Sequence, residues 1–247
     1  MNMNVLLSEK KKGVLVLTMN RPQKHNALNT DLTQQLLDAI TASEFDPEVR
    51  SVVLVGQSPS FCAGADTSEF SSLTPQDPQA VQARADLTMA LHLSFSKISK
   101  PVIAAVTGNA LGGGAGLALA CDMVVIAEDA KFGYPELKHG IVAAVVLANL
   151  VRQIGPKKAF ELVASATPIN GTKAHEYGLA NQVVATQDVL SKAIELAEGL
   201  AAWSPLAMAT TKRTFYRAMD LSLSQALEVG RDANIMMRGF QMAKTHA

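Results

Sequence analysis

The chain has 247 residues, with 22 basic and 22 acidic side chains and a formal net charge of zero. Hydrophobic residues make up 48% of it and aromatic residues only 5%. This composition predicts a compact domain that can bury its own core without disulfides or structural metal, and it excludes a long disordered chain. The two cysteines are too few for a disulfide framework. Neutral charge excludes a broad nucleic-acid-binding surface.

No segment reaches the roughly 20 consecutive apolar residues that cross a bilayer. The first residues also lack the basic start and apolar stretch of a secretory signal. We therefore expect a cytoplasmic protein in a reducing compartment, with neither a membrane nor a nucleic acid as its partner.

Predicted strands and helices alternate over the first two thirds of the chain. Apolar, β-branched stretches predict strands at residues 14–18, 51–56, 101–107, 123–127, 131–132 and 182–184. Apolar residues at helical spacing predict helices at residues 32–40, 83–97 and 117–120, and residues 71–80 are expected to form a loop. This alternation is typical of βαβ units with a largely parallel sheet.

The last third of the chain is mostly helical in pattern. Helices are predicted at residues 144–154, 157–164, 172–178, 188–202, 205–219 and 223–237. We therefore expect an α/β core over residues 1–190 and a helical C-terminal region over residues 191–247.

Two loops rich in small residues follow predicted strands, at residues 61–66 and 112–116. Glycine leaves backbone N–H groups uncovered, and the second loop opens a helix, whose first N–H groups lack partners. Two such groups converging on one oxygen would form an oxyanion hole, although the glycines could equally serve tight packing. Dinucleotide-binding, P-loop, zinc-protease and serine-hydrolase motifs are absent, and no metal site is predicted.

Several motifs occur in one order along nearly the whole chain. They are Asn20-Arg21-Pro22, Asn26-Ala27-Leu28-Asn29, Phe61-Cys62-Ala63-Gly64-Ala65-Asp66, Gly108-Asn109-Ala110-Leu111-Gly112-Gly113-Gly114, Ala120-Cys121-Asp122 and Phe132-Gly133-Tyr134-Pro135-Glu136. In this order they resemble the crotonase (enoyl-CoA hydratase/isomerase) superfamily. The resemblance implies an α/β spiral of ββα units with a helical C-terminal region. It also implies an acyl-CoA thioester substrate, with no cofactor other than the coenzyme A that is part of that substrate.

The resemblance further implies roles for individual residues. The backbone amides of Ala65 and Gly113 would bind the thioester oxygen, and Glu136 would transfer a proton at the carbon next to the thioester. The residues expected along the substrate and CoA path are Lys24, Ala27, Ala63, Asp66, Thr67, Ser68, Tyr134 and Lys212. For Lys24 and Lys212, a contact with CoA phosphates and a solvated surface position both remain open.

One position departs from the hydratases of the superfamily, which use two glutamates. The first of these positions is Gly116 here, and glycine cannot transfer a proton. A single glutamate can move a proton between two carbons, so the sequence favours a Δ3/Δ2-enoyl-CoA isomerase. Dienoyl-CoA isomerases and hydroxyisobutyryl-type hydrolases lose support because their further aspartate would stand at Ala144. Two alternatives remain: a hydratase in which Asp66, Glu69 or a loop residue replaces the missing acid, and a non-catalytic acyl-CoA-binding scaffold.

The acyl pocket is expected between the helix at 83–97 and the segment at 141–150. Apolar side chains in that segment favour a fatty or branched acyl tail, although they fit a core position equally well. The resemblance implies a homotrimer or a dimer of trimers built through the C-terminal helices. The apolar faces of the helices at 205–219 and 223–237 fit such an assembly and fit an intrachain core equally well.

Overall fold

The computed structural model describes residues 4–245, and side chains as far as residue 239. Within this range the strands are β1 (Leu6–Lys11), β2 (Val14–Met19), β3 (Ser51–Gly56), β4 (Val102–Val106), β5 (Asn109–Leu111), β6 (Met123–Ala127), β7 (Lys131–Gly133), β8 (Ile169–Asn170) and β9 (Gln182–Val184). The α-helices are α1 (Thr30–Phe45), α2 (Pro78–Lys97), α3 (Gly113–Ala120), α4 (Leu147–Ile154), α5 (Pro156–Ser165), α6 (Gly171–Glu176), α7 (Val189–Ala201), α8 (Pro205–Ala218) and α9 (Leu223–Thr245). Short 3-10 turns cover Pro22–Lys24, Thr67–Glu69, Glu136–His139 and Thr186–Asp188.

The strands form two sheets. The larger has the order β1-β2-β3-β4-β6-β9, and every neighbouring pair in it is parallel except β1 with β2. The smaller has the order β5-β7-β8, with β5 parallel to β7 and β7 antiparallel to β8. All residues of β3 and β4 are buried, as expected for central parallel strands with both faces covered. The predicted mixed α/β core with helices at its C-terminal end is confirmed.

Some elements differ from their predicted bounds. The strands β1, β5 and β8 were not predicted, because they are short or polar and are defined by pairing with distant strands rather than by an apolar pattern. The predicted loop at 71–80 is shorter, since α2 begins at Pro78 and the side chain of Asp77 caps it by accepting from Ala80 N. The helix α9 extends eight residues beyond its predicted end at 237.

Packing against the larger sheet continues past the expected domain boundary at residue 190. The helix α7 buries Val189, Ala193 and Ala197 against the larger sheet. The hydroxyl of Ser51 on β3 also donates to the carbonyl of Ala197 at 2.9 Å. The helix α7 therefore packs with the α/β core, and α8 and α9 follow it as the terminal helices. None of the described helices has the length and apolar composition that crossing a membrane requires.

Candidate active site

The two small-residue loops are joined by backbone hydrogen bonds. Cys62 forms a β-bridge with Ala110 on β5. The Cys62 amide donates to Asn109 O at 2.8 Å, and its carbonyl accepts from Leu111 N at 3.0 Å. Gly64 has a φ of +100°, and a β-carbon built on it would lie 2.8 Å from Leu111 O. Glycine is therefore needed at this position for the first loop to lie against the start of the second.

Two backbone amides are left free where these loops meet. Leu28 N donates to Gly64 O at 2.7 Å, and Asp66 N donates to Leu28 O at 3.1 Å. Because alternate residues of such a ladder point in opposite directions, the N–H of Ala65 points away from Leu28. Gly113 is the first residue of α3, and a β-carbon on it would lie 3.6 Å from Ala65 N. Neither amide, Ala65 or Gly113, has an acceptor among the described residues, so both can donate to a ligand.

Glu136 places a carboxylate at the start of α3. It opens the 3-10 turn after β7, and Gly112 N donates to Gly133 O at 2.8 Å, which holds the end of β7 beside α3. A β-carbon on Gly112 would lie 2.8 Å from Oε1 of Glu136. Gly112 also has a φ of +53°, so two independent features require glycine there. The missing side chain lets the carboxylate approach the helix that carries the Gly113 amide.

The Glu136 carboxyl group is half-buried and incompletely paired. Its Oε2 atom is buried and has no hydrogen-bond partner among the described residues. Burial raises the pKa of this carboxyl group above its usual value, although its own backbone amide and the charge of His139 oppose the shift. A carboxylate with an unpaired oxygen and a raised pKa is suited to taking up a proton.

Tyr134 lies beside this carboxylate in the core. Its ring is fully buried and packs edge-on against Phe132, with ring centroids 6.3 Å apart. Its hydroxyl is buried without a partner among the described residues. Burial, followed by the negative charge of Glu136, raises the pKa of Tyr134, so it remains a neutral phenol.

Asp66 holds the first loop in place. Its Oδ2 accepts from Arg21 Nη2 at 2.7 Å, and its Oδ1 accepts from the amide and the hydroxyl of Ser68 at 3.1 and 2.7 Å. Burial tends to raise the pKa of Asp66, but the hydrogen bonds from Ser68 and Arg21 outweigh it and keep the pKa below its usual value. The carboxylate is therefore occupied in the structure of the loop.

The other residues expected along the CoA path lie close to this loop, with the exception of Tyr134 and Lys212. Ala63 N donates to His25 O at 3.0 Å, which joins the loop to the turn that carries Lys24. Lys24 and Thr67 are exposed, Ala63 is partly exposed and Ala27 is buried. Lys24 can therefore meet an anionic group that approaches the loop from solvent.

Lys212 lies elsewhere, in the packing between α8 and the core. Its side chain is only 5% exposed, and Nζ donates to Asp122 Oδ2 at 2.6 Å and to Lys100 O at 2.7 Å. The hydroxyl of Tyr216 donates to the other oxygen of Asp122 at 2.8 Å. Burial lowers the pKa of Lys212, although the charge of Asp122 opposes the shift. Lys212 is therefore held in a buried ion pair and is not a solvated surface cation, and its contact with CoA phosphates stays a prediction.

Gly116 faces side chains that fill the space a second acid would need. A β-carbon on it would lie 2.2 Å from Cγ1 of Val146 and 3.1 Å from Nε2 of His92. Since β-carbons essentially never approach another heavy atom within 3.0 Å, any side chain at Gly116 requires Val146 to move. Sequence reasoning missed both neighbours, because Val146 follows Gly116 by thirty residues and His92 shows no motif of its own.

Adding one methyl group at Gly116 is expected to destabilise the protein. Gly116→Ala forces Val146 aside, and overpacking of this kind lowers the free energy of unfolding by about 1–3 kcal/mol. Urea unfolding measures the difference. The matched control is Gly199→Ala on α7, where nothing lies within 4 Å of the new methyl group. There the better helix propensity of alanine should stabilise by up to about 1 kcal/mol. Stabilisation by both variants would contradict the packing at Gly116.

A cavity of about 860 Å³ lies between α2, α4 and α8. Met89, His92 and Leu93 line it from α2, and Val145 and Ala148 line it near α4. The two elements expected to border the acyl pocket do therefore face a common space. Glu136, Ala65 and Gly113 are not among its lining residues, and His92 is the residue that contacts both this cavity and the neighbourhood of Gly116.

Metal chemistry has no ligand set in the described part of the chain. No group of three or more His, Cys, Asp or Glu side chains there could hold a metal ion. The two cysteines, Cys62 and Cys121, are both buried and free, and burial raises the pKa of the Cys62 thiol to about 12.

Comparison with known proteins places the chain in a family. The family model for enoyl-CoA hydratase/isomerase matches residues 9–245. A crotonyl-CoA hydratase of Syntrophomonas wolfei is 35% identical over 232 residues, which cover 93% of this chain and 88% of that protein. A 2,3-dehydroadipyl-CoA hydratase of Escherichia coli is 34% identical over 226 residues, which cover 91% and 87%. The crystal structure of an enoyl-CoA hydratase of Mycobacterium smegmatis has a TM-score of 0.90 at 28% identity and covers 95% of this chain and 91% of its own. The fold predicted from the motifs is therefore confirmed, and the chain belongs to the enoyl-CoA hydratase/isomerase family of the crotonase superfamily.

Proposed function

We propose that this protein is a Δ3/Δ2-enoyl-CoA isomerase in which Glu136 is the only acid–base group. The observation that carries the proposal is the unpaired Oε2 of Glu136 beside two free amides, with the aliphatic Val146 filling the space in front of Gly116. A single carboxylate next to an oxyanion hole is sufficient to move one proton between two carbons of a thioester.

The reaction follows from the position of these groups. The thioester oxygen of a 3-enoyl-CoA accepts hydrogen bonds from Ala65 N and Gly113 N. The Glu136 carboxylate removes a proton from C2, and the electron pair of that C–H bond forms an enolate whose oxygen the two amides stabilise. The protonated Glu136 then returns the proton to C4, the double bond moves to C2–C3, and the carboxylate is restored. No atom is gained or lost, as an isomerisation requires.

The partial burial of Glu136 supports this role. A carboxylate in water is a weak base, whereas burial raises the pKa of Glu136 toward that of the carbon acid it must deprotonate. The positive end of α3, whose first turn carries the Gly113 amide, stabilises the negative charge that leaves the carboxylate and appears on the enolate.

The two acids considered as replacements for the missing glutamate have other partners. Asp66 accepts from Arg21 and Ser68, and Glu69 accepts from Thr30 N at 2.8 Å and from Arg84 at 3.4 Å. Both carboxylates therefore hold loops together, which leaves Glu136 as the carboxylate of the proposed site.

Coenzyme A is proposed to bind along the first loop. Lys24 is exposed on the turn that Ala63 N joins to this loop, so its ammonium group is available to a CoA phosphate. The free amide of Ala65 lies on this loop and the free amide of Gly113 lies beside it at the start of α3, where the thioester would be held. An oligomer built through α8 and α9 remains a proposal that the exposed side chains of Phe215 and Leu227 support.

Purified protein is expected to convert a 3-enoyl-CoA into the conjugated 2-enoyl-CoA. Chromatography separates the two isomers, and the absorbance of the conjugated thioester confirms the product. A saturated acyl-CoA of the same chain length is the control and should bind without changing. Unchanged 3-enoyl-CoA would overturn the proposal, and tight binding of both esters without turnover would identify a non-catalytic acyl-CoA-binding protein.

A further inference from the structure

Three small residues follow one another along a single face of α3. Residues four apart in a helix lie on the same face, one turn after the other. The N-cap Gly112, then Gly116 and Ala120, have this spacing, and Gly116 N donates to Gly112 O at 3.0 Å. The groups that lie beside these three residues are therefore arranged in order along one side of the helix.

The proposed proton-transfer site and the large cavity lie at opposite ends of this face. A β-carbon on Gly112 would lie 2.8 Å from Oε1 of Glu136, which places the carboxylate at the beginning of α3. The cavity of about 860 Å³ is lined from α3 by Leu119 and Ala120, at the end of the helix. The residues from 112 to 118 do not line it. The carboxylate and the cavity are thus separated by the middle of α3.

Val146 and His92 fill that middle position. The atoms nearest to a β-carbon built on Gly116 are Cγ1 and Cβ of Val146, followed by Nε2 of His92 at 3.1 Å. Val146 is 6% exposed and does not line the cavity, whereas the preceding Val145 does. His92 lines the cavity from α2. We call these two side chains, Val146 and His92, the partition, because they lie between Gly116 and the cavity.

The cavity beyond the partition has a lining that suits a hydrocarbon chain. Its volume lies within the range of about 300–1,000 Å³ that is common for ligand pockets. Two of its charged lining residues, Arg152 and Asp220, form an ion pair with each other at 2.7 Å. The large apolar side chains that line it are Met89, Leu93, Val145, Phe215 and Met219.

The acyl chain of a substrate would reach the partition after a few carbons. In the proposed mechanism the thioester is held at the Gly113 amide, and Glu136 reaches both C2 and C4 from the same face of α3. Gly116 lies about 6 Å beyond Gly112 along the helix axis. About five carbon–carbon bonds of about 1.5 Å cover that length. A chain of about six carbons therefore ends at Val146, and a longer chain collides with the methyl groups of Val146.

We propose that Val146 determines substrate specificity, limiting the site to short acyl chains by closing the path from Glu136 to the cavity. The proposal rests on the acyl-CoA site proposed above and names the class of acyl chain that this site takes. Removing the methyl groups of Val146 would join the site to the cavity, and the apolar lining there would then hold the end of a long chain.

Turnover of 3-hexenoyl-CoA and of 3-dodecenoyl-CoA tests the proposal. The unmodified protein should convert the hexenoyl ester with a kcat/KM at least about 10-fold higher than that for the dodecenoyl ester. Val146→Ala opens the partition, so kcat/KM for the dodecenoyl ester should rise by about 10-fold or more, the usual effect of a small change of volume in an apolar pocket. The kcat/KM for the hexenoyl ester should change little, which also shows that the variant is folded.

Two further variants separate the position of Val146 from the size of its side chain. Val151→Ala makes the same truncation on α4, where the side chain is 44% exposed and does not line the cavity. Its ratio of the two kcat/KM values should equal that of the unmodified protein. Val146→Ile keeps a branched side chain in the partition, so the preference for the hexenoyl ester should remain.

Binding of saturated esters tests the same path without turnover. Titration calorimetry with hexanoyl-CoA and dodecanoyl-CoA gives the dissociation constants. Val146→Ala should bind dodecanoyl-CoA about 10-fold or more tightly than the unmodified protein does, because the additional methylene groups become buried in the cavity. The affinity for hexanoyl-CoA should be the same in both proteins.

The outcomes distinguish this proposal from the proposed function. Equal kcat/KM for the two esters in the unmodified protein would overturn the role of Val146 and leave the isomerase intact, and this measurement decides the proposal even where Val146→Ala does not fold. A folded Val146→Ala that gains nothing with the dodecenoyl ester, or gains no more than Val151→Ala, would also overturn it. Absence of turnover with both esters would overturn the proposed function instead, and the binding of the saturated esters would then decide the role of Val146.

Discussion

Glu136→Gln is expected to lower kcat for the isomerisation of 3-enoyl-CoA by about 100- to 10,000-fold. Glutamine has nearly the shape of glutamate but cannot take up a proton, so the C2 proton would lose the acceptor that the mechanism assigns to it. The amides of Ala65 and Gly113 remain in place, since both belong to the backbone. KM for the thioester should therefore change little, and steady-state kinetics separate the two effects.

The control for this substitution is Glu128→Gln, which makes the same chemical change at an exposed position after β6. Its kcat should be that of the unmodified protein. Retention of full turnover by Glu136→Gln would remove Glu136 from the mechanism. An equal loss of kcat in the two variants would indicate that the proteins are misfolded and not that a proton acceptor is missing. Circular dichroism of both variants detects misfolding.

The pH dependence of isomerisation has a defined sign in this mechanism. Glu136 acts first as a base, so only its carboxylate form is active, and kcat/KM should rise as the pH increases through the pKa of Glu136. Burial raises that pKa above 4.5, the ordinary value for glutamate, so the midpoint of the acidic limb is expected above pH 4.5. A midpoint at or below pH 4.5 would show that the carboxyl group is not desolvated in the free enzyme.

The parts of the site that the sequence predicted are those built from local backbone geometry. Gly64 and Gly112 adopt positive φ values that other residues avoid. Glu136 directly follows Pro135 and begins the 3-10 turn after β7. Such features are set by neighbours in the chain, so motifs reveal them. The parallel pairing of β3, β4 and β6 was likewise predictable from apolar strands that alternate with helices.

The parts that could not be predicted depend on contacts between distant segments. Gly116 shows only that an acid is missing, whereas the structure shows that Val146 fills the space and that His92 approaches it from α2. Lys212 has the sequence context of a surface cation, yet its partner Asp122 is 90 residues away in the chain. Side-chain pairing of this kind leaves no periodicity and no motif for a single sequence to display.

The side chain of Val146 occupies the space that a side chain at Gly116 would need. A methyl group of Val146 therefore lies next to the first turn of α3, where a side chain at residue 116 could have placed a carboxylate. In the isomerase proposed above, a site with this packing has one carboxylate to move a proton within the substrate and lacks the second one that would share a water molecule. The imidazole of His92 also lies beside this turn, and it belongs to a different helix.

Lys212→Met is expected to lower the free energy of unfolding by about 3–5 kcal/mol, the usual result of removing one partner of a buried ion pair. Methionine keeps most of the aliphatic stem but removes the ammonium group that Asp122 Oδ2 contacts at 2.6 Å. Asp122 keeps its hydrogen bonds from Val102 N and the Tyr216 hydroxyl, but its charge stays in the core without a counter-charge. Urea unfolding at neutral pH measures the loss.

The matched control is Arg152→Met, which breaks an ion pair of similar length, 2.7 Å, with Asp220 at an exposed position, where the side chains are 41% and 67% exposed. Pairs of that kind contribute at most about 1 kcal/mol, so this variant should unfold close to the unmodified protein. Equal stabilities for the two variants would contradict a structural role for Lys212. Unchanged stability of Lys212→Met together with weaker binding of free coenzyme A would instead assign the Lys212 ammonium group to the CoA phosphates. Because Lys212 lies between α8 and the core, we expect the loss of stability.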